Sequence, residues 1–585
     1  MDRKAWIAII LSVVGLGVWQ WCYVTTYSAK PGQIAPPSAE TAGSPEATAT
    51  PVSTAEATPT PVPTSEGPTI TARNESLYTR NAEYIFSNDK GGITRAILLL
   101  HFGEQEKAVS LNDHSSMPIG AIGDTPGKAW GGFSMTTDPA KSEATFTRKD
   151  PDGLLITKRF TLSQDASKSD LYVVRMELEF QNTGNVEIFR PSYFVSTGGA
   201  APIHKADMPI YTRFDWMHDM TKFSKIDVNW FNASSVPLLG IPLKAANPLF
   251  QESRPNVVWA GVTSQYFCTI VTTERTKGIS AWASRFDTHK VNNTPVYGIQ
   301  GGLGMPELKI GAGESVKESF LIYAGPKELA RLEDLKQGQD AAMDFGMFGI
   351  VSKFLLWAMN GLNGIFHSYA IAIIVLTLII KSVLWPIQNK ATDQMRKMAL
   401  LSPKMTEVRE KYKDDPQKMN TKMMELYKEY SVNPFSGCLP MLIQIPIFFG
   451  FYTMLGGAIE LRNSQFFWIH DLSQPDTVAY IPGINFPINL LPIIMAGTMV
   501  WQMAISPKTG DAMQQRIFYF MPVIFLVFCY NYASGLALYW TTQNLFSIVQ
   551  LYLTRNKPLP TLEKKSVVEK RQADATKKKK KRPGQ

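Results

Sequence analysis

The sequence has little of what catalytic and metal-binding proteins usually need. Only four cysteines occur in 585 residues: Cys22, Cys268, Cys438 and Cys529. They are far apart and form no CxxC pair, so neither a zinc site nor a disulfide framework is suggested. Three of them fall in apolar runs, where a small buried thiol is the ordinary reading. HExxH and GxSxG are absent. The stretch Gly123-Asp-Thr-Pro-Gly127-Lys128-Ala129 is one residue short between its glycines for a phosphate loop and lacks Ser or Thr after the lysine. His470-Asp471 is an adjacent pair without a nucleophile at readable spacing, and it reads as a loop-anchoring contact. No Asp or Glu lies in any long apolar run, so the acidic relays of ion pumps and intramembrane proteases are missing. The runs show no internal repeat of the kind that marks many transporters. The expectation is a protein that is not an enzyme and uses no cofactor and no metal.

What is present is length in apolar runs and an uneven charge. Spanning segments are expected at about 5–24, 367–388, 435–457, 487–506, 517–533 and 536–554, since a bilayer takes roughly 20 helical residues. The last two are separated by Ser534-Gly535, which predicts a tight hairpin. One cation interrupts these runs: Lys381, in Leu378-Ile-Ile-Lys381-Ser-Val-Leu-Trp-Pro386. A mid-helix lysine costs about 2.5–3.5 kcal/mol on insertion scales, so such a residue usually faces water, a partner or a substrate. Snorkelling to the nearer membrane surface is the alternative.

Composition divides the chain further. Residues 1–29 form an N-terminal anchor, because the apolar run ends in bulky Trp19, Trp21 and Tyr23 and offers no small-residue cleavage site. Residues 30–70, rich in Pro, Thr and Ala, read as a disordered extended linker. Residues 71–340 hold β-branched and aromatic runs at 154–162, 171–180, 266–273 and 319–324, with turns at Asp150-Pro-Asp-Gly153 and Asn182-Thr-Gly-Asn185. An all-β sandwich fits them. Residues 341–365 predict an amphipathic helix at the membrane surface, with a buried helix of the β domain as the alternative. Residues 366–555 hold five spans and a cytoplasmic hairpin at 390–430. In that hairpin Met398, Leu401, Met405, Val408 and Tyr412 face Met419, Met423, Leu426 and Tyr430, and Ser402-Pro403 restarts or kinks its first helix. Residues 556–585 are a basic tail. The hairpin segment carries ten Lys or Arg, whereas 458–485 has only Arg462, which places the former inside and both termini in the cytoplasm.

Uncharged polar groups accompany Lys381. Thr377 lies one helical turn before it. Gln444 sits in the third span, and Tyr539, Trp540, Thr541, Thr542, Gln543 and Asn544 sit in the last. Such groups either bond between helices or line a wet cavity, and the sequence leaves both open.

Several motifs together are recognisable. Lys381-Ser-Val-Leu-Trp-Pro386, Val432-Asn-Pro434, Gly437-Cys-Leu-Pro440, Leu442-Ile-Gln-Ile-Pro-Ile-Phe448, Trp468-Ile-His-Asp-Leu-Ser473, Met513-Gln-Gln515, Phe520-Met-Pro-Val-Ile-Phe525 and Ser534-Gly-Leu-Ala-Leu-Tyr539 closely resemble the YidC/Oxa membrane protein insertases. The first span and large external domain are similar to the Gram-negative form. The resemblance implies a polytopic α-helical inner-membrane protein: six spans, five of them around a hydrophilic groove, and a periplasmic β-supersandwich. The groove is open to cytoplasm and lipid and closed outside. Lys381 matches a groove cation that is usually arginine, Thr377 and Tyr539 match groove-lining positions, and Trp540 replaces a second aromatic. Gln444 and Asn544 are assigned to the same groove. Implied partners are nascent membrane proteins, the Sec translocon, the ribosome and anionic lipids. A channel or secondary transporter with a polar intramembrane site is the rival reading, and a structural envelope protein a third.

Overall fold

A computed structural model describes residues 71–103, 106–163, 172–204, 207–235, 242–291, 294–432, 439–483, 486–506 and 512–555. The expected anchor 1–29, linker 30–70 and basic tail 556–585 lie outside the described residues, as do most of the motifs at 432–434 and 437–440. The chain forms two compact units that divide between Ala342 and Met343.

The first unit is a β-sandwich. Asn74–Tyr78, Ala82–Ser87, Gly92–Phe102 and Ala108–Leu111 form a four-stranded antiparallel sheet. A 13-stranded sheet holds the longer strands. In it Leu154–Leu162 pairs with Val173–Asn182, which pairs with Ser315–Pro326, which pairs with Phe267–Thr273. Alternating side chains face inward, and Phe86 of the small sheet meets Phe160 of the large one edge-on at 5.4 Å. Leu154–Leu162 coincides with the expected strand, while the strand expected at 319–324 extends to Ser315–Pro326. Both predicted turns form. Gly153 at φ +92° donates its N–H to the Asp150 carbonyl, and the Asn182 side chain accepts from Gly184 N. The loop at 123–129 leads into no helix, unlike a phosphate loop.

Lys158 is buried in this sandwich. Its ammonium donates to the Gly91 and Gly120 carbonyls and lies 4.4 Å from the Phe133 ring centroid. Burial, reinforced by repulsion from Arg148, holds its pKa well below the ordinary lysine value.

The second unit contains seven α-helices among the described residues: α1 (Gly349–Phe366), α2 (Tyr369–Lys411), α3 (Pro416–Glu429), α4 (Leu439–Gly457), α5 (Leu490–Ile505), α6 (Ala512–Cys529) and α7 (Ser534–Arg555). Of these, α2 alone has the length and apolarity to cross a bilayer. Shorter apolar stretches run over Leu442–Gly457, Leu490–Ile505 and Tyr519–Cys529. α1 buries Ser352, Leu355, Leu356 and Met359 against α2 and α4 and exposes Ile350, Phe354 and Trp357. His367, left-handed at φ 51°, ends α1, and the Ser368 hydroxyl caps α2.

Several expected boundaries change. α2 is one helix of 43 residues, continuous through Pro386 and Pro403, so Ser402-Pro403 does not restart it. Each proline removes one intrahelical hydrogen bond, yet the helix runs on through both. α2 returns into α3 through the Asp415 cap and Pro416. Their shared core is Leu401, Met405, Leu426, Tyr430 and Val432, flanked by Met398, Val408, Met423 and Tyr427. Tyr412 and Met419, expected in that stripe, lie outside it at the turn end. Residues 487–489 are not helical: Phe486–Asn489 pairs with Thr477–Ile481 as a short hairpin that feeds α5. Ser534 and Gly535 open α7 and do not form a turn, so residues 530–533 make the connection from α6. α7 packs on α2 and α5 and meets α6 through Phe525 and Trp540, which replaces the tight hairpin expected from sequence.

Candidate functional site

The site grows from three helix faces. On α2, Ile373, Thr377 and Lys381 recur every fourth residue and are all buried. The Thr377 hydroxyl donates to the Ile373 carbonyl at 2.7 Å, which satisfies it within its own helix. Lys381 is only 3% exposed, so its stem does not carry the ammonium to a surface. Its Nζ donates to Ser547 Oγ of α7 at 3.4 Å, and no carboxylate among the described residues pairs with it. Three N–H donors therefore meet one distant protein acceptor.

α7 supplies the opposite wall. Tyr539, Gln543 and Ser547 follow one another at four-residue intervals and are all buried. Gln444 of α4 donates to Tyr539 Oη at 2.7 Å and to Gln543 Oε1 at 2.9 Å. Ser547 donates to the Gln543 carbonyl at 2.9 Å. Tyr539 also stacks on Phe451 with ring centroids 4.0 Å apart. Further along, Gln550 donates to Asn389 Oδ1 at 3.1 Å, and Arg396 donates to the Thr554 carbonyl at 2.6 Å. The result is a continuous polar seam between α2, α4 and α7. It runs from Tyr539 past Lys381 to the end of α7 that adjoins the α2–α3 hairpin.

Not every expected residue joins it. Asn544 turns the other way and donates to Thr498 Oγ1 at 3.0 Å and to the Met495 carbonyl, both on α5. It is a bond between helices, because one residue after Gln543 rotates the side chain by about 100°. Trp540 is half-buried in an aromatic cluster with Phe448 at 4.7 Å and Phe525 at 4.4 Å, which joins α4, α6 and α7. Lys381, Thr377, Gln444 and Tyr539 do face the seam. Ser547, Gln550 and Asn389 were missed, although the four-residue polar repeat Tyr539, Gln543, Ser547 is visible in the sequence.

One end of the helices is covered by a loop. Gly535 N donates to the Leu472 carbonyl, Ser534 N to the Gln474 carbonyl and Ser534 Oγ to the Asp471 carbonyl. Asn489 Nδ2 donates to the Tyr530 carbonyl at 2.6 Å, and Tyr530 Oη to the Pro487 carbonyl at 2.6 Å. Asp471 is thus the anchoring residue of its pair, while His470 is exposed. Asp476 is buried in the same loop, accepting from Trp468 Nε1 at 3.0 Å and Leu491 N at 2.6 Å. Burial raises its pKa, with those two donors opposing.

Residues 91–358 match the family model described as YidC periplasmic domain, and residues 361–560 match that described as 60Kd inner membrane protein. A membrane protein insertase YidC from Geobacter metallireducens is 29% identical over 94% of this chain and 97% of that protein. The insertase YidC of Geobacter sulfurreducens is 32% identical over 74% of each chain. A crystal structure of an active YidC insertase is 19% identical and covers 83% of this chain and 93% of that one, with a TM-score of 0.33.

Proposed function

Because the chain belongs to the family of the membrane protein insertase YidC, we propose that it inserts nascent membrane proteins into the bacterial inner membrane by offering them a hydrated groove. The observation that carries this reading is Lys381, buried without a carboxylate in a polar seam that reaches one end of the helices. An ammonium in hydrocarbon costs far more than one hydroxyl returns, so water or a passing acidic side chain completes its shell.

Moving a polar tail through lipid is costly because its groups lose their hydrogen-bond partners. A groove of polar side chains shortens that passage. Lys381 attracts acidic residues of the tail, and the seam exchanges its bonds with the tail's backbone. The apolar segment of the substrate then leaves sideways, driven by burial of its surface in lipid. The reaction uses no cofactor and no covalent step. Six spans, with 1–29 as the first, place both termini in the cytoplasm and the β domain in the periplasm. The α2–α3 hairpin receives the incoming chain. The basic tail meets ribosomal RNA or anionic lipid, and some substrates arrive by way of the Sec translocon.

The experiment is depletion of the native insertase with complementation by variants. Lys381→Arg supports insertion of a single-span substrate with an acidic external tail, and Lys381→Ala does not. Normal insertion of every such substrate by Lys381→Ala would remove the electrostatic part of this mechanism.

A further inference from the structure

The covering loop exposes an unusual set of side chains. Phe466 and Ile469 exchange both backbone hydrogen bonds at 2.8 Å, which makes Phe467-Trp468 the two corner residues of a tight turn. Phe467 occupies the left-handed region at φ 50° and is 83% exposed. Asn or Gly fits such a corner without strain, and a bulky aromatic there is an outlier. Neither local conformation nor core packing explains the choice. The neighbouring hairpin repeats the pattern, with Tyr480 62%, Val478 48% and Phe486 46% exposed.

The chemistry around these residues narrows the partner. No Lys or Arg occurs between Arg462 and Lys508, and the loop's two acids are engaged, Asp471 by Ser473 N and Asp476 by Trp468 and Leu491 N. The surface is therefore apolar, aromatic and free of cations. It continues directly into α5, whose Ile493, Val500 and Trp501 are also exposed. Aromatic rings rooted in a hydrogen-bonded base at the ends of apolar helices match the belt that proteins place at the membrane–water boundary. We propose that Phe467, Trp468, Tyr480 and Phe486 insert into the lipid headgroup–acyl boundary and anchor the covered end of the helix bundle at a fixed depth. The Trp468 bond to Asp476 holds the indole in place, so the anchor is preset.

The proposal rests on the membrane placement argued above and on no insertion step, so the two can fail separately. The test uses full-length protein in vesicles of phosphatidylethanolamine and phosphatidylglycerol. A polarity-sensitive nitrobenzoxadiazole label is placed on Phe467→Cys or Tyr480→Cys, with His470→Cys as the polar control, and the native cysteines replaced. Labels at 467 and 480 should emit blue-shifted and be quenched by shallow doxyl-lipids, while the label at 470 should be quenched by aqueous iodide. Water-like emission at both aromatic positions overturns the proposal. Shielding of both from iodide and from doxyl-lipid also overturns it, since a protein partner then covers them. Phe467→Asn supplies a second arm. It should keep or raise the unfolding midpoint in detergent, because asparagine suits the left-handed corner, yet weaken doxyl quenching of a label at 480. Unchanged quenching would show that the turn plays no part in anchoring.

Discussion

Replacing Gln444 by leucine cuts two hydrogen bonds at once, and the structure sets the scale of the loss. The amide donates to Tyr539 Oη and to Gln543 Oε1, whose residues are 2% and 8% exposed. Intramembrane hydrogen bonds average about 0.6 kcal/mol in double-mutant cycles. Leaving the Gln543 carbonyl buried without a donor adds about 1–3 kcal/mol. Leucine has nearly the volume of glutamine, so no cavity contribution enters. Gln444→Leu should therefore destabilise the helical unit by about 2–4 kcal/mol. Tyr539→Phe removes one bond and leaves Gln444 paired with Gln543, for a loss of about 0.5–1 kcal/mol. The triple variant Gln444→Leu, Tyr539→Phe, Gln543→Leu leaves no orphan and should return to within about 1 kcal/mol of the parent. Equilibrium unfolding in bicelles measures these values, and reconstituted vesicles with a single-span substrate measure insertion. The groove reading requires the triple variant to be stable and largely inactive. A triple variant with normal insertion would reduce the seam to a packing device, and a Gln444→Leu as stable as the parent would refute the energetic argument.

Other expectations follow from the same geometry. Because the folded pKa of Lys158 is depressed, the unfolded chain binds more protons between that value and the ordinary one near 10.5, so stability rises with pH across this window and is lost on acidification. Lys158→Met should flatten that slope, read as hydrogen exchange in strand Val173–Asn182 of the full-length protein at several pH values. Arg213 and Asp215 form a buried pair at 2.9 Å, with side chains 5% and 0% exposed, and Arg213→Met should cost about 3–5 kcal/mol by orphaning the carboxylate. Thermal unfolding of the β domain checks it. Leu401→Ala, at a fully buried position of the hairpin core, should cost about 2–5 kcal/mol locally and expose the α2–α3 connection to protease while β-domain exchange stays unchanged. Burial pushes the Cys268 thiol up to about 12, so it should resist maleimide in the native protein and react only after unfolding.

Much of this was legible because periodicity is a local property. The three-and-four spacing of Met398, Leu401 and Met405 against Met423 and Leu426 predicted the hairpin core, and the β-branched run Leu154–Leu162 matched its strand. Lys381 and Thr377 could be placed on one face because they are one turn apart. What escaped the sequence depends on neighbours that are distant in the chain. Adjacent Gln543 and Asn544 look equivalent as letters, yet one faces α4 and the other α5. Two prolines signal breaks in α2, yet the helix is continuous through both. Asp476 resembles an ordinary loop acid until Trp468 and Leu491 close over it.

The unbroken α2 has a mechanical consequence. Lys381 and Leu401 lie on one helix, about 30 Å apart at 1.5 Å per residue, with no loop between them. Any load taken up by the hairpin is delivered to the buried charge as tilt or rotation of a rod, with Pro386 and Pro403 as the points where that rod bends most easily. Under the proposed function, the element that receives a chain and the charge that meets it are two ends of one lever.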